Sequence, residues 1–127
     1  MNEEETKAGL AQTPGYRYVE KMGKQLFVAG QVPHNSDGLL VGLNDPYVQS
    51  HQCLVNLGKL LEIHDFAKED IRRLVVYVVG EQTNLSNAWA AVVEQFGNGV
   101  PPATLLGVAT LGHVDQLVEI DATVIKA

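Results

Sequence analysis

The sequence predicts an α+β fold of order β-β-α-β-α-β-β, with one mixed sheet and two helices on one of its faces. Two stretches show helical spacing of apolar residues, five stretches are strand-like, and one strand is apolar on both sides. The 127 residues suffice for one domain at residues 16–127, preceded by an arm at residues 1–15. Two helices cover only one sheet face. The strand Ile71 to Val79 is apolar on both faces, so a neighbouring subunit is the simplest way to bury its second face.

Composition and charge restrict the class of partner. The chain is 46% hydrophobic and 19% charged, as in globular proteins, and no apolar run reaches the roughly 20 residues of a membrane helix. The net charge of −6 repels phosphate backbones. Cys53 is the single cysteine, and the histidines lack metal-ligand spacing. We therefore expect a cytoplasmic protein with no metal, no cofactor and no membrane or nucleic-acid partner.

The first half of the chain predicts a hairpin and a long loop. The glutamate-rich start reads as a loose arm. Tyr16 to Met22 alternates as a strand, Gly23-Lys24 supplies a two-residue turn with glycine first, and Gln25 to Ala29 returns. Gly30 to Asn44 is then a long loop, and loops of this length often carry function.

Two helices are predicted from their caps and apolar stripes. Asp45 is a good N-cap and Pro46 suits the first helical position. Thr83 or Asn84 caps the second helix, and Gly97 ends it. The first apolar stripe consists of Cys53, Leu54, Leu57, Leu60 and Leu61, and it leaves Gln49, Gln52, Asn56 and Lys59 largely off it. The second stripe consists of Leu85, Trp89, Val92, Val93 and Phe96.

The remaining strands include the one with the clearest chemical signal. Ile71 to Val79 is apolar on both faces, as in a central strand. Another strand follows Pro101-Pro102, and Thr110 to Gln116 predicts a connection between two antiparallel strands. In the last strand, even-numbered residues from Val118 to Val124 are apolar, so Glu119 and Asp121 lie on the other face.

Several short segments, taken in order and spacing over about residues 16 to 125, carry a resemblance to a known family. They are Tyr16, Phe27 to Pro33, Gln49, Gln52, Leu54, Asn56, Val75 to Val79, Asn87, Pro101-Pro102 and Leu117 to Ala122. In these the chain resembles the RidA/YjgF group of reactive-intermediate deaminases. The resemblance implies a chorismate-mutase-like fold, a homotrimer, and clefts lined by two neighbouring subunits. It also implies hydrolysis of imines and enamines to a keto acid and ammonia.

The resemblance also implies a site. Glu119 and Tyr16 match the acid–base positions, because a carboxylate or a tyrosine hydroxyl near the imine carbon can orient water and handle protons. The candidates for substrate binding are Ala29, Gln31, Asn87, Ala103 and Thr104. Ala29 replaces the more usual serine. For Gln31 the alternative is a role in shaping the loop, and for Asn87 it is satisfying amides at a helix start.

The family's arginine, which grips the substrate carboxylate in two places, has no counterpart. Aligning on the strand places Ala103 at this position, and aligning on the prolines places Thr104 there. Arg17 is a possible substitute, but on a strand it points away from the side of Tyr16. We therefore expect weak or absent ordinary activity and a substrate that does not depend on the clamp. The alternative is a non-catalytic metabolite-binding or regulatory module. A ribonuclease is disfavoured by the acidic charge.

Overall fold

The structure, a computed structural model, describes residues 2–127, in which five strands form one mixed sheet. The strands are β1 (Val19–Met22), β2 (Gln25–Val28), β3 (Ile71–Val79), β4 (Ala103–Val108) and β5 (Val118–Ile125). The helices are α1 (Glu3–Lys7), α2 (Pro46–Ile63) and α3 (Gln82–Phe96), with short 3₁₀ turns at Lys68–Asp70 and Gly97–Gly99. No helix in this part of the chain has the length and apolar character needed to cross a membrane.

The sheet has the strand order β1-β2-β5-β3-β4, which corrects one prediction about its C-terminal strands. β4 and β5 are not neighbours, because β3 lies between them, parallel to β4 and antiparallel to β5. Thr110 to Gln116 therefore crosses over the end of β3 and does not close a hairpin. The predicted hairpin of β1 and β2 is present, with Met22 paired to Gln25. Gly23 there has φ +60°, a value that favours glycine.

Helix α2 begins as predicted, but two of its polar residues are buried. The side chain of Asp45 accepts a hydrogen bond from Val48 N at 3.1 Å, and Pro46 is the first helical residue. Gln49 and Asn56, predicted to lie off the buried stripe, are only 0% and 5% exposed. The loops pack over that side of the helix and use these amides as hydrogen-bond partners, so burial leaves their polar groups satisfied.

Helix α3 ends as predicted at Gly97, which has φ +59°, but it begins earlier than predicted. Its N-cap is Glu81, without a side-chain capping bond, so neither Thr83 nor Asn84 is the cap. Asn84 instead donates from Nδ2 to Val79 O at 3.0 Å and ties the helix to the end of β3.

Residues 2–15 are more ordered than the predicted loose arm. Asn2 and Glu5 form a capping box at the start of α1. Glu5 is 3% exposed, and its Oε2 lies 3.1 Å from His64 Nε2 at the end of α2. Leu10 is also buried. The acidic composition suggested a solvated segment, whereas Glu5 both caps α1 and contacts His64.

The sheet has a core face against α2 and α3 and an opposite face, which we call the open face. Leu74, Val76, Val78, Val118 and Ile120 are fully buried on the core face. By pairing register and alternation, the open face carries Met22, Phe27, Arg73, Val75, Tyr77, Thr104, Leu106, Glu119, Asp121 and Thr123. The predicted alternation of β5 therefore describes its two faces correctly.

Candidate functional site

Glu119 lies half-buried on the open face, and two neighbours hold its carboxylate. Gln116 Nε2 donates to Glu119 Oε1 at 3.2 Å. On the other side, a Cβ placed on Gly30 would lie 2.4 Å from Glu119 Oε2, well inside contact distance. The carboxylate therefore occupies space that only a glycine leaves free. The hydrogen bond from Gln116 and the space left free at Gly30 together determine where the carboxylate lies.

Gln31 brings this glycine to β5. Its backbone pairs with that of Ile120, with Gln31 N to Ile120 O at 2.8 Å and the reciprocal bond at 3.1 Å. The Gln31 side chain is 1% exposed, and its Nε2 donates to Ala29 O at 2.7 Å. Ala29 itself is half-buried beside Gly30. The amide of Gln31 thus shapes the loop from inside, which is the alternative raised for it from the sequence.

Tyr16 lies near Glu119, just before β1, and is 42% exposed. Partial burial, and secondly the charge of Glu119, raise the pKa of the Tyr16 hydroxyl above its usual value of 10.0. The hydroxyl is therefore protonated at neutral pH and available as a donor. Beside it is an open depression of about 830 Å³, lined by Tyr16, Arg17, Phe27 and Ala29 among others. Arg17 is exposed there and pairs with Glu20 at 3.5 Å.

The other predicted site residues lie apart from Glu119 within one chain. Asn87 is exposed on α3, in the layer on the core side of the sheet. Ala103 and Thr104 begin β4, which β3 separates from β5. Thr104 is on the open face, whereas alternation places Ala103 on the opposite side. Of the two positions left by the resemblance, only Thr104 shares a face with Glu119.

Sequence reasoning missed the residues that support the site. Gln116 is 3% exposed, and its Oε1 accepts from His113 N at 3.2 Å while its Nε2 reaches Glu119. Gln49 holds the same connection, since its Oε1 accepts from Leu117 N at 2.7 Å and its Nε2 donates to Asp115 O at 3.1 Å. Gly30 was also missed, because it stood at the start of a predicted loop; in the structure it does not have a positive φ, so its backbone conformation does not require a glycine.

The electrostatics leave Glu119 without a cationic partner. Within residues 2–127, no nitrogen of a lysine, arginine or histidine side chain lies within 4.0 Å of its carboxylate. No set of three or more metal-binding side chains is assembled in that part of the chain either. The rings of His34 and His113 have centroids 4.7 Å apart, and burial, then the neighbouring ring, lower the pKa of His34. Glu119 and Tyr16 together therefore offer one proton acceptor and one proton donor.

Known proteins share both the sequence pattern and the fold. Residues 6–126 match the family model described as Endoribonuclease L-PSP. A RutC family protein of Pyrococcus horikoshii is 28% identical over 111 residues, which are 87% of this chain and 86% of that protein.

Solved structures agree over nearly the whole chain. The YyfA protein of the conserved Rid family from Yersinia pestis has a TM-score of 0.81 at 26% identity, covering 95% of this chain and 94% of that one. Escherichia coli TdcF, solved with bound serine, has a TM-score of 0.82 at 21% identity, covering 96% of this chain and 95% of that one. At this identity the match shows that the fold is shared. The predicted α+β architecture is thus confirmed, and the chain belongs to the RidA/YjgF family, whose model carries the description Endoribonuclease L-PSP.

Proposed function

We propose that the protein binds a small organic metabolite beside Glu119 and hydrolyses or tautomerises its imine or enamine group. One observation carries the proposal: a half-buried carboxylate, seated on Gly30 and held by Gln116, lies near a tyrosine hydroxyl that is protonated at neutral pH. A proton acceptor and a hydrogen-bond donor are the groups that water addition to a C=N bond requires.

The reaction divides into two proton-coupled steps. Glu119 accepts a proton from water as the water oxygen bonds to the imine carbon and the π electron pair moves to nitrogen, and it passes that proton to the nitrogen, which gives a neutral carbinolamine and restores the carboxylate. Glu119 then takes the hydroxyl proton of the carbinolamine and delivers it to the amine nitrogen as the C=O bond forms and the C–N bond breaks. The products are a carbonyl compound and ammonia. Tyr16, as a neutral hydroxyl, donates a hydrogen bond to the substrate nitrogen or to the attacking water.

A cleft shared between subunits, in a cytoplasmic homotrimer, is part of this proposal. Phe27 and Met22 on the open face are 49% and 66% exposed, and Val75 and Tyr77 are half-buried. Apolar side chains on a sheet face favour cover by another copy of the chain. TdcF, which shares the fold, was solved with serine bound, and this supports a small-molecule ligand. The net charge of −6 does not favour RNA as the substrate.

A non-catalytic metabolite-binding module is the second candidate. The observation that favours it is the lack of a lysine, arginine or histidine nitrogen within 4.0 Å of Glu119 in residues 2–127. A substrate carboxylate bound close to this glutamate would be repelled within a single chain.

Ammonia release from imines tests the two candidates. The imines are generated by an L-amino-acid oxidase and presented to the wild type, to Glu119→Gln and to the control Asp121→Asn on the same face. We expect about 100-fold or greater loss in Glu119→Gln and little change in the control, since positioned acid–base groups contribute that much. Turnover unaffected by Glu119→Gln refutes the catalytic role. Ligand-dependent stabilisation without turnover supports the binding module.

A further inference from the structure

Two half-buried histidines from different loops lie against each other. His34 belongs to the loop that follows Gly30, and His113 belongs to the connection between β4 and β5. Their ring centroids are 4.7 Å apart and the ring planes are inclined by 73°, which is an edge-to-face contact. Sequence spacing gave no indication of this pair, because its members are far apart in the chain.

Each of these two segments also carries one support of Glu119. Gly30, which leaves space for the carboxylate, stands at the start of the loop that contains His34. In the connection, His113 N donates to Gln116 Oε1 at 3.2 Å, and Gln116 N donates to His113 O at 3.2 Å. Gln116 then donates from Nε2 to Glu119 Oε1 at 3.2 Å. One amide side chain therefore links the position of His113 to that of Glu119.

Neutral amides also hold the loop and the connection. Gln49 Nε2 donates to Gly42 O at 3.0 Å and to Asp115 O at 3.1 Å, so one buried side chain joins the two segments. Asn56 Nδ2 donates to His34 O at 3.0 Å. Amide groups do not titrate, so acidification leaves these donors unchanged. The histidine pair, by contrast, changes its charge near neutral pH.

No carboxylate compensates for positive charge on the two rings. Within residues 2–127, no carboxylate oxygen lies within 4.0 Å of a nitrogen of His34 or His113. Partial burial, and secondly the charge of His113, lower the pKa of His34, as expected for an imidazole without a counter-ion. Charged side chains on the elements around the pair include Asp37 in the loop, Asp45 at the start of α2, Lys59 on α2, Asp115 in the connection and Glu119 on β5.

One proton on the pair preserves the ring contact, and a second proton opposes it. A protonated ring can still direct its positive edge at the face of a neutral ring. Two imidazolium rings with centroids 4.7 Å apart repel each other, so the first proton disfavours binding of the second. Acidification therefore weakens the contact in the pH range where the second ring is protonated.

We propose that His34 and His113 are positioning residues that make the placement of Glu119 depend on pH. When both rings are protonated, His113 moves away from His34 and its backbone hydrogen bond to Gln116 lengthens. The amide that holds Glu119 is then no longer fixed on that side. When at most one ring is protonated, the contact keeps Gln116 in place. The effect on catalysis rests on the proposed function, whereas the movement of Gln116 does not.

The first experiment follows imidazole ¹⁵N NMR signals and the side-chain amide signal of Gln116 over pH, with Gln116→Ala to assign the amide. In the wild type we expect two titration steps of the pair about one pH unit or more apart, with the amide signal changing in the more acidic step. The two steps should lie closer together in about 1 M salt, which screens the repulsion.

Two variants provide the comparison. His113→Phe keeps an aromatic ring for the edge-to-face contact but carries no charge. In this variant we expect His34 to titrate in one step and the amide signal of Gln116 to stay unchanged through that step. His51→Gln replaces an exposed histidine of α2 and should behave as the wild type does.

The second experiment measures kcat/KM for imine hydrolysis at about pH 7.5 and about pH 5.5, corrected for hydrolysis without the protein. We expect acidification to lower the value for the wild type about tenfold or more beyond its effect on His113→Phe, because a misplaced carboxylate is a poor base. At the higher pH, where the second ring is unprotonated, the two proteins should be equal. Protonation of Glu119 itself affects both proteins alike.

The outcomes separate this inference from the proposed function. An amide signal of Gln116 that ignores the second step, or that changes equally in His113→Phe, shows that the inference is wrong. Equal pH dependence of turnover in the wild type and His113→Phe also refutes it. If the wild type turns over no imine, the proposed function fails, and the Gln116 signal alone then decides whether the pair positions the amide.

Discussion

Gly30→Ala tests whether the position of the Glu119 carboxylate matters. The added Cβ would lie 2.4 Å from Oε2, 3.0 Å from Cδ and 3.2 Å from Cγ of Glu119. Ordinary van der Waals contact begins near 3.4 Å, and the Cβ would lie 2.4 Å from Oε2. This oxygen must therefore move by at least about 1 Å. Because Gln116 Nε2 already lies 3.2 Å from the other oxygen, this shift disturbs the hydrogen bond as well.

We expect the Gly30→Ala protein to fold and to lose about 100-fold in kcat/KM, since a misplacement of about 1 Å can have an effect of that size. The assay is ammonia release from imines, with thermal unfolding measured alongside it. Gly58→Ala in α2 is the control, because a Cβ there meets nothing within 4 Å. It should leave turnover unchanged and stabilise the helix by about 0.5–1 kcal/mol. Full activity in Gly30→Ala, with a crystal structure showing Glu119 displaced, would refute the reasoning.

Two further predictions concern Tyr16 and the loop support. In Glu119→Gln the pKa of Tyr16 should fall towards 10.0, because burial remains but the neighbouring negative charge is gone. Tyrosine ¹³C NMR over alkaline pH measures this, with Tyr16→Phe to assign the signal, and an unchanged pKa contradicts the proximity of the two groups. Asn56→Leu should destabilise the fold by about 1–3 kcal/mol, because the carbonyls of Val32 and His34 each lose a donor at 3.0 Å. Denaturant unfolding measures this loss, with Gln52→Leu as the control because that change removes only a hydrogen bond to Asn56 itself. Equal losses of unfolding free energy in the two variants would show that the loop carbonyls do not need Asn56.

Local patterns in the sequence predict much of the secondary structure and the sheet faces. The period of two in β5 is enough to place Glu119 on the face opposite Val118 and Ile120, since side chains alternate along any strand. Asp45 and Pro46 likewise mark the start of α2, because capping acts within one turn of helix. Each of these predictions depends on residues that are close together in the chain.

The N-terminal residues show where composition misleads. The start of the chain looks like a solvated acidic arm, yet Glu5 is buried against His64, fifty-nine residues away. Gln49 and Asn56 are similar cases, because whether a polar residue on a helix is exposed depends on which loop packs over it. Periodicity gives the direction of a side chain but not the identity of the element it meets.

Residue patterns were enough to predict the order of the five strands and of α2 and α3, the two faces of β5, and the lack of an arginine at positions 103 and 104. The folded chain was needed to show that β3 separates β4 from β5, that Gly30 leaves space for Glu119, and that Thr104 and Arg73 meet on the open face. This difference arises because alternation and capping are properties of neighbouring residues. Contacts between Gly30 and Glu119, or Arg73 and Thr104, arise only when packing of the whole chain fixes which strands and loops lie side by side.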